Sequence, residues 1–263
     1  MNCGPMIAEN ELSGTSEDAV LGGRLRLRQP LKGHRVGHDA ILLAAATSGG
    51  AGELAVELGA GVGAAGLALA RRIEGLRVSL VEIEPVLCAL AAHNARLNRL
   101  DERAAAFCTD AGEPQALAAI GFKRDSADRV LMNPPFHDPA RQNVSPDPRR
   151  RLAHVGEPGL LPRWIASAAW LLKPHGVLTL IWRADGEGDV LTALQSAFGD
   201  LALLPVLPRP DRPAIRILLR AKKGGTDAVS RLPPLSLNDI DARPSAEAEA
   251  VLRGGESLGI AAS

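Results

Sequence analysis

Leu54-Ala55-Val56-Glu57-Leu58-Gly59-Ala60-Gly61-Val62-Gly63 runs from a short apolar segment into a glycine-rich turn. Five mostly apolar residues that stop at glycine read as a strand covered on both faces, where no polar alternation is needed. Ala64 to Arg72 follows with the composition of a helix. Strand, glycine turn and helix in that order open an α/β unit. The glycines let the backbone approach a ligand closely, above the N–H groups of the next helix. The turn spells two patterns at once, Gly59-x-Gly61-x-Gly63 and the Gly61-x-Gly63-x-x-Gly66 of dinucleotide enzymes. By itself it names no cofactor.

Downstream the alternation continues. Leu76 to Glu82 reads as a second strand, and Pro85 to Asn98 as a helix with proline in its first turn, where the missing N–H costs nothing. Ala104 to Thr109 is a third strand, and a fourth ends in Val130-Leu131-Met132. Leu160 to Leu172 is a helix closed by Lys173-Pro174-His175-Gly176, Val177 to Trp182 the fifth strand, and Val190 to Phe198 another helix. Leu201 to Val206 and Ala214 to Ala221 complete the series as a proline-linked antiparallel pair. Such a chain builds an α/β sandwich on a mainly parallel sheet, with ligands at the carboxyl ends of the strands.

The bounds agree with one soluble domain. The chain has 263 residues, an apolar share of 46% and zero formal net charge. No run is long enough to span a bilayer, and Met1 to Gly23 lacks the basic and apolar regions of a signal peptide. Cys3, Cys88 and Cys108 have no metal-type spacing and read as thiols of a cytoplasmic protein, so no metal is expected.

Asn133-Pro134-Pro135-Phe136, after the fourth strand, carries the chemistry. Each proline fixes φ, lacks an N–H and pushes the preceding residue towards extended backbone. The result is a stiff pair of acceptors, the Asn133 side-chain oxygen and the Pro134 carbonyl, beside the flat ring of Phe136. That arrangement suits a planar, weakly nucleophilic amine. Glu82, at the end of the second strand, can accept both hydroxyls of a ribose.

Read together, the glycine turn, the acid after the second strand, Asp110 after the third and Asn-Pro-Pro-Phe after the fourth resemble the S-adenosylmethionine (SAM) dependent methyltransferases. Within them they resemble the amino-methylating group with a [DNS]-PP-[YFW] motif. The resemblance covers residues 20–223 and implies a Rossmann-like fold, a mainly parallel seven-stranded sheet with an antiparallel last strand. It further implies that Glu57, Gly59, Ala60, Gly61 and Gly63 flank the amino-acid end of SAM. Glu82 would take its ribose, Ile83 one face of its adenine, and Asp110 with Ala111 the edge carrying the adenine amine. Asn133, Pro134, Pro135 and Phe136 would be the catalytic set, with Asn133 also at the cofactor.

Leu27-Arg28-Gln29-Pro30 through His38-Asp39-Ala40-Ile41-Leu42-Leu43 is similar to the start of bacterial tRNA adenine-N6 methyltransferases acting beside the anticodon of valine tRNA. Asp39 would then lie near the cofactor. The ending Phe136-His137 is of the guanine type, so ribosomal guanine-N2 methylation stays open, as do glutamine-N5 methylation of protein and a SAM-fold binding protein without catalysis. RNA is the expected partner, through Arg24, Arg26 and Arg28 and through Arg149, Arg150 and Arg151; a third basic cluster runs from Arg209 to Lys223. The expected organisation is an acidic, flexible segment over residues 1–23, a methyltransferase domain over 24–223, and an irregular extension over 224–263.

Overall fold

The computed structural model describes residues 14–32, 35–135, 159–226 and 229–262. The central sheet begins with β3 (Leu54–Leu58), whose glycine turn leads into α2 (Ala64–Arg72). β4 (Arg77–Glu82), α3 (Pro85–Leu97), β5 (Ala104–Cys108), α4 (Pro114–Ala119) and β6 (Ala127–Met132) follow. Then come α5 (Leu160–Leu171), β7 (Leu172–Arg183), α6 (Glu187–Leu194), β8 (Phe198–Leu207) and β9 (Arg216–Lys223). Ahead of them lie a hairpin, β1 (Thr15–Val20) and β2 (Leu25–Pro30), and a helix, α1 (His38–Ala46).

β3, β4, β5, β6 and β7 pair in parallel, and β9 runs antiparallel between β7 and β8. β9 is the seventh strand of this sheet in chain order, so the antiparallel last strand expected from sequence is present. It inserts between its two predecessors. Two dipeptide strands, β10 (Ser230–Arg231) and β11 (Leu235–Ser236), pair with β8 and bring the sheet to nine strands. The strand order reverses at β3, with β4 on one side and β6 on the other. That is where a crevice opens at the carboxyl ends of such a sheet.

Each face of the sheet has its own apolar core. Ala55, Val78 and Leu80 pack with α1, α2 and α3, whereas Val56, Leu58, Val81 and Met132 pack with α4, α5 and α6. The alternation along β3 puts Glu57 on the α2 side.

Both ends of the chain differ from expectation. Residues 15–20 form β1 where a flexible segment was expected. Glu17 pairs in register with Arg28 and Asp18 with Leu27, so the acidic strand lies against the basic one. β2 buries Leu25 and Leu27 and turns its arginines outward. Its open edge is closed by side chains of α3: Asn94 and Asn98 accept from the Arg28 and Arg26 N–H groups at 2.7 and 2.9 Å and donate back to the same residues' carbonyls. The extension after residue 224 is likewise ordered by burial. Leu235, Val251, Leu258 and Ile260 join the core on the α1 side, and α7 (Ala246–Leu252) starts at Ser245, whose hydroxyl accepts from Ala248 N–H.

Candidate active site

The strand registers align Leu58 with Met132 of β6 and with Val81 of β4, which in turn pairs with Phe107 of β5. One residue further on, Asn133, Gly59, Glu82 and Cys108 leave the sheet in a single row. Adjacent strands are about 4.8 Å apart, so the row brings the glycine turn, the acid and the Asn-Pro-Pro segment to one crevice.

The turn is held before any ligand is considered. Ala60 N–H donates to the Val81 carbonyl and Gly63 N–H to the Ala60 carbonyl, each at 2.8 Å. Gly59, Gly61 and Gly63 have φ of 70°, 55° and 85°, a region that favours glycine. Glu82 is buried and accepts from Gly61 N–H at 2.7 Å through Oε2 and from Glu84 N–H at 2.9 Å through Oε1. Each carboxylate oxygen keeps a further lone pair for a ribose hydroxyl. Glu57 is buried beneath the turn and accepts from Gly66 N–H at 2.7 Å. Burial, with the negative charge of Glu82 added, pushes its carboxyl up to about 8, against the pull of the Gly66 and Ala65 N–H groups.

On the other side, Asp110 accepts from Gly112 N–H at 2.7 Å through Oδ1, which leaves Oδ2 for an amine. Ala111 is buried, and Ile83 is 53% exposed. Asp39, in the first turn of α1, forms an ion pair of 2.9 Å with Arg216 at the start of β9. The Asp39 carboxylate is engaged by Arg216, so its assignment to the cofactor rests on sequence resemblance.

Asn133 is half-buried and Pro134 is buried. The Asn133 Oδ1 atom is covered and has no hydrogen-bond partner among the described residues. An acceptor in that condition fits a ligand that brings a donor. Phe136 lies outside the described residues, as do Arg149, Arg150 and Arg151.

The family model of the methyltransferase small domain matches residues 38–205. The chain belongs to this family. A tRNA1(Val) (adenine(37)-N6)-methyltransferase of Porphyromonas gingivalis is 31% identical over 204 residues, 76% of this chain and 78% of the relative. A release factor glutamine methyltransferase of Chlorobaculum tepidum is 30% identical over 60% of this chain and 54% of its own length. Among solved structures, a predicted O-methyltransferase of Agrobacterium tumefaciens aligns with a TM-score of 0.71 at 26% identity, covering 84% of this chain and 98% of its own. A Thermus thermophilus 16S rRNA N2 G1207 methyltransferase, solved with AdoMet and guanosine, aligns at 0.55 and 23% identity, over 80% and 50% of the two chains. At that identity the likeness speaks to the fold alone.

Three residues of the site escaped the sequence reading of roles. Gly66 is required because a Cβ there would stand 2.4 Å from Leu80 Cδ2 and 2.7 Å from Glu57 Oε2. Its place in the glycine pattern was the available signal. Asn94, fully buried on α3, donates to the Val62 carbonyl at 3.0 Å and so ties the hairpin to the glycine turn. Trp164 of α5 lies under the row, and nothing local in the sequence marks it. The basic clusters also rearrange. Arg26 and Arg28 pair with Glu17, Arg35 with Asp18, and Arg24 donates to the Gly254 carbonyl. The third cluster splits along β9: Arg216 faces Asp39, whereas Lys222 and Lys223 pair with Asp200 and Asp125 at the far end.

Proposed function

We propose that the chain transfers the methyl group of SAM to the exocyclic amine of an RNA base, N6 of an adenine beside the anticodon of tRNA. The observation that carries this reading is the buried, unpartnered Oδ1 of Asn133, fixed by two prolines one strand away from the glycine turn. Bound SAM supplies a methyl group on a sulfonium, an acceptor for a nitrogen lone pair. The residues of this chain prepare that lone pair. An exocyclic amine is conjugated with its ring and attacks poorly while planar. Asn133 Oδ1 and the Pro134 carbonyl take its two hydrogens and favour the pyramidal nitrogen, which is preorganised stabilisation of developing charge together with alignment. The nitrogen becomes acidic as it is alkylated, and its proton passes to solvent without a dedicated base. Phe136, next in the chain, is assigned to stacking on the displaced base. The RNA backbone is assigned to Arg149, Arg150 and Arg151.

The tRNA assignment draws support from the name of the Porphyromonas relative, and the Phe136-His137 ending favours guanine N2 as the second reading. No helix among the described residues is long and apolar enough to cross a membrane, and we place the enzyme in the cytoplasm with its substrate. Nucleoside mass spectrometry of tRNA and rRNA from a deletion strain tests the reading. Loss of N6-methyladenosine from tRNA supports it. Intact tRNA with loss of N2-methylguanosine from rRNA transfers the activity to the second reading, and unchanged RNA removes both. Calorimetry on the purified protein checks the cofactor, with SAM binding and no NAD binding as the expected result.

A further inference from the structure

Trp164 is 8% exposed, and its Nε1–H is buried without a hydrogen-bond partner among the described residues. Its two rings reach two different loops. A Cβ on Gly59 would stand 2.2 Å from Cη2 and 2.8 Å from Cζ3, so the benzo ring lies flush against the start of the glycine turn. A Cβ on Gly112 would stand 3.2 Å from Cδ1, 3.4 Å from Nε1 and 3.3 Å from Asp110 Oδ1. The pyrrole edge and the Asp110 carboxylate therefore border the same small space, open because residue 112 is glycine. Gly59 follows β3 and Gly112 lies beyond β5, with β4 and its Glu82 between them. The indole thus spans the strand ends beneath the region assigned to adenosine.

We propose that Trp164 is a positioning residue for the cofactor: its rings set the separation of the two loops, and its N–H, unpartnered among the described residues of the ligand-free site, takes the Asp110 carboxylate as its acceptor when the purine amine binds and fixes its orientation. The inference rests on the functional reading above. An indole N–H is a donor only, and a carboxylate takes it best while ionised. Asp110 Oδ1 already accepts from Gly112 N–H; the indole N–H, joining that oxygen on ligand binding, leaves the other oxygen facing the amine. A carboxylate so aimed accepts an adenine amine and repels the carbonyl that hypoxanthine carries at that place.

The test compares S-adenosylhomocysteine with S-inosylhomocysteine by calorimetry on the full chain. The wild type is expected to favour the adenine form. Replacement of Trp164 by 3-benzothienylalanine keeps both rings and removes only the N–H. That variant should melt as the wild type does and lose on the order of tenfold of the preference, about 1.4 kcal/mol. Trp164→Phe removes the second ring and should weaken both ligands together. A benzothienyl variant that discriminates like the wild type, or a wild type without preference, overturns the role of the N–H. A folded Trp164→Phe that binds both ligands at wild-type strength overturns the spacing role. A wild type that binds neither SAM nor S-adenosylhomocysteine strikes the functional reading itself, a result distinct from the others.

Discussion

Glu82 and Asn133 leave the sheet in the same row, on opposite sides of β3, yet their hydrogen bonding is opposite. Both oxygens of Glu82 accept backbone N–H groups, whereas the Asn133 oxygen is buried and accepts from none of the described residues. The Glu82 carboxylate is internally satisfied and holds the glycine turn alone. The side assigned to the substrate keeps an acceptor, and in the proposed mechanism its donor arrives with the amine. Leaving a buried polar atom unpartnered costs about 1–3 kcal/mol, and native structures keep few such atoms without a reason. The two sides should therefore respond differently to truncation, one through stability and binding together, the other through the chemical step.

The largest effect is expected at Asn133. In the proposed mechanism its interaction strengthens as the amine pyramidalises, and electrostatic positions of that kind typically cost about 10²–10³ in rate when removed. Asn133→Ala should lower the single-turnover rate by that order with RNA affinity little changed. Its melting temperature should equal or exceed the wild-type value, because an unpartnered acceptor has been deleted. A folded variant that methylates at the wild-type rate would make the Asn-Pro-Pro segment only a turn.

Glu82→Ala is expected to act on the other side of the comparison. Charge-assisted hydrogen bonds to ribose are worth about 1.5–3 kcal/mol, so SAM affinity should fall by roughly 10- to 150-fold. The same change strips Gly61 and Glu84 of their acceptors and should lower the melting temperature of the ligand-free protein as well. Weakened SAM binding with an unchanged melt would mean that the turn does not depend on this carboxylate, and the contrast with Asn133 would collapse.

Glu57 sharpens the same contrast through pH. Its carboxyl is raised from 4.5 to about 8 in the folded protein, chiefly by burial. Stability from this group is complete below about pH 4.5, where both states are protonated. It declines as pH rises towards 8, because the unfolded chain ionises first, with a slope of at most about 1.4 kcal/mol per pH unit. Glu57→Gln cannot ionise, so thermal melts of the ligand-free variant should lack this part of the decline. Identical pH slopes for variant and wild type would show that the buried carboxyl stays ionised.

The sheet and the row of site residues were legible because they depend on local signals: apolar runs that stop at glycine, an acid or Asn-Pro-Pro. Even the proline-linked pair β8 and β9 could be read from short range. What escaped depends on distant pairing. The acidic residues before residue 23 read as a solvated segment, since nothing local shows Arg26 and Arg28 returning alongside Glu17. The last forty residues are rich in Gly, Pro and Ser, yet Leu235, Val251 and Ile260 are spaced widely and find their cover only on α1 and β8. β7 starts at Leu172, ahead of Lys173-Pro174-His175-Gly176, because Leu172 pairs with Ala127 across an irregular register. Trp164 looks like any apolar helix residue until Gly59 and Gly112 are brought against it.

The smallest effect is expected on the hairpin, where the structure turns a candidate RNA contact into a satisfied surface pair. Arg26 is 64% exposed at its side chain but engaged by Glu17. An exposed ion pair of this kind contributes about 0.2–1 kcal/mol, and that attraction must be given up before the guanidinium can serve a phosphate. Arg26→Ala should therefore leave RNA affinity within about twofold of the wild type, with a melting temperature lower by no more than the loss of one such pair. Arg149, Arg150 and Arg151 are assigned direct phosphate contacts, each contributing about 0.7–0.9 to the dependence of log affinity on log salt. Their joint replacement by alanine should flatten that dependence by about 2–3 and leave SAM affinity unchanged. Filter binding across a salt series reads both variants in one experiment. If Arg26→Ala flattens the slope as much as the triple variant does, the hairpin opens to bind RNA and its ion pairs are a resting arrangement. If neither variant changes the slope, the contact lies on other cations.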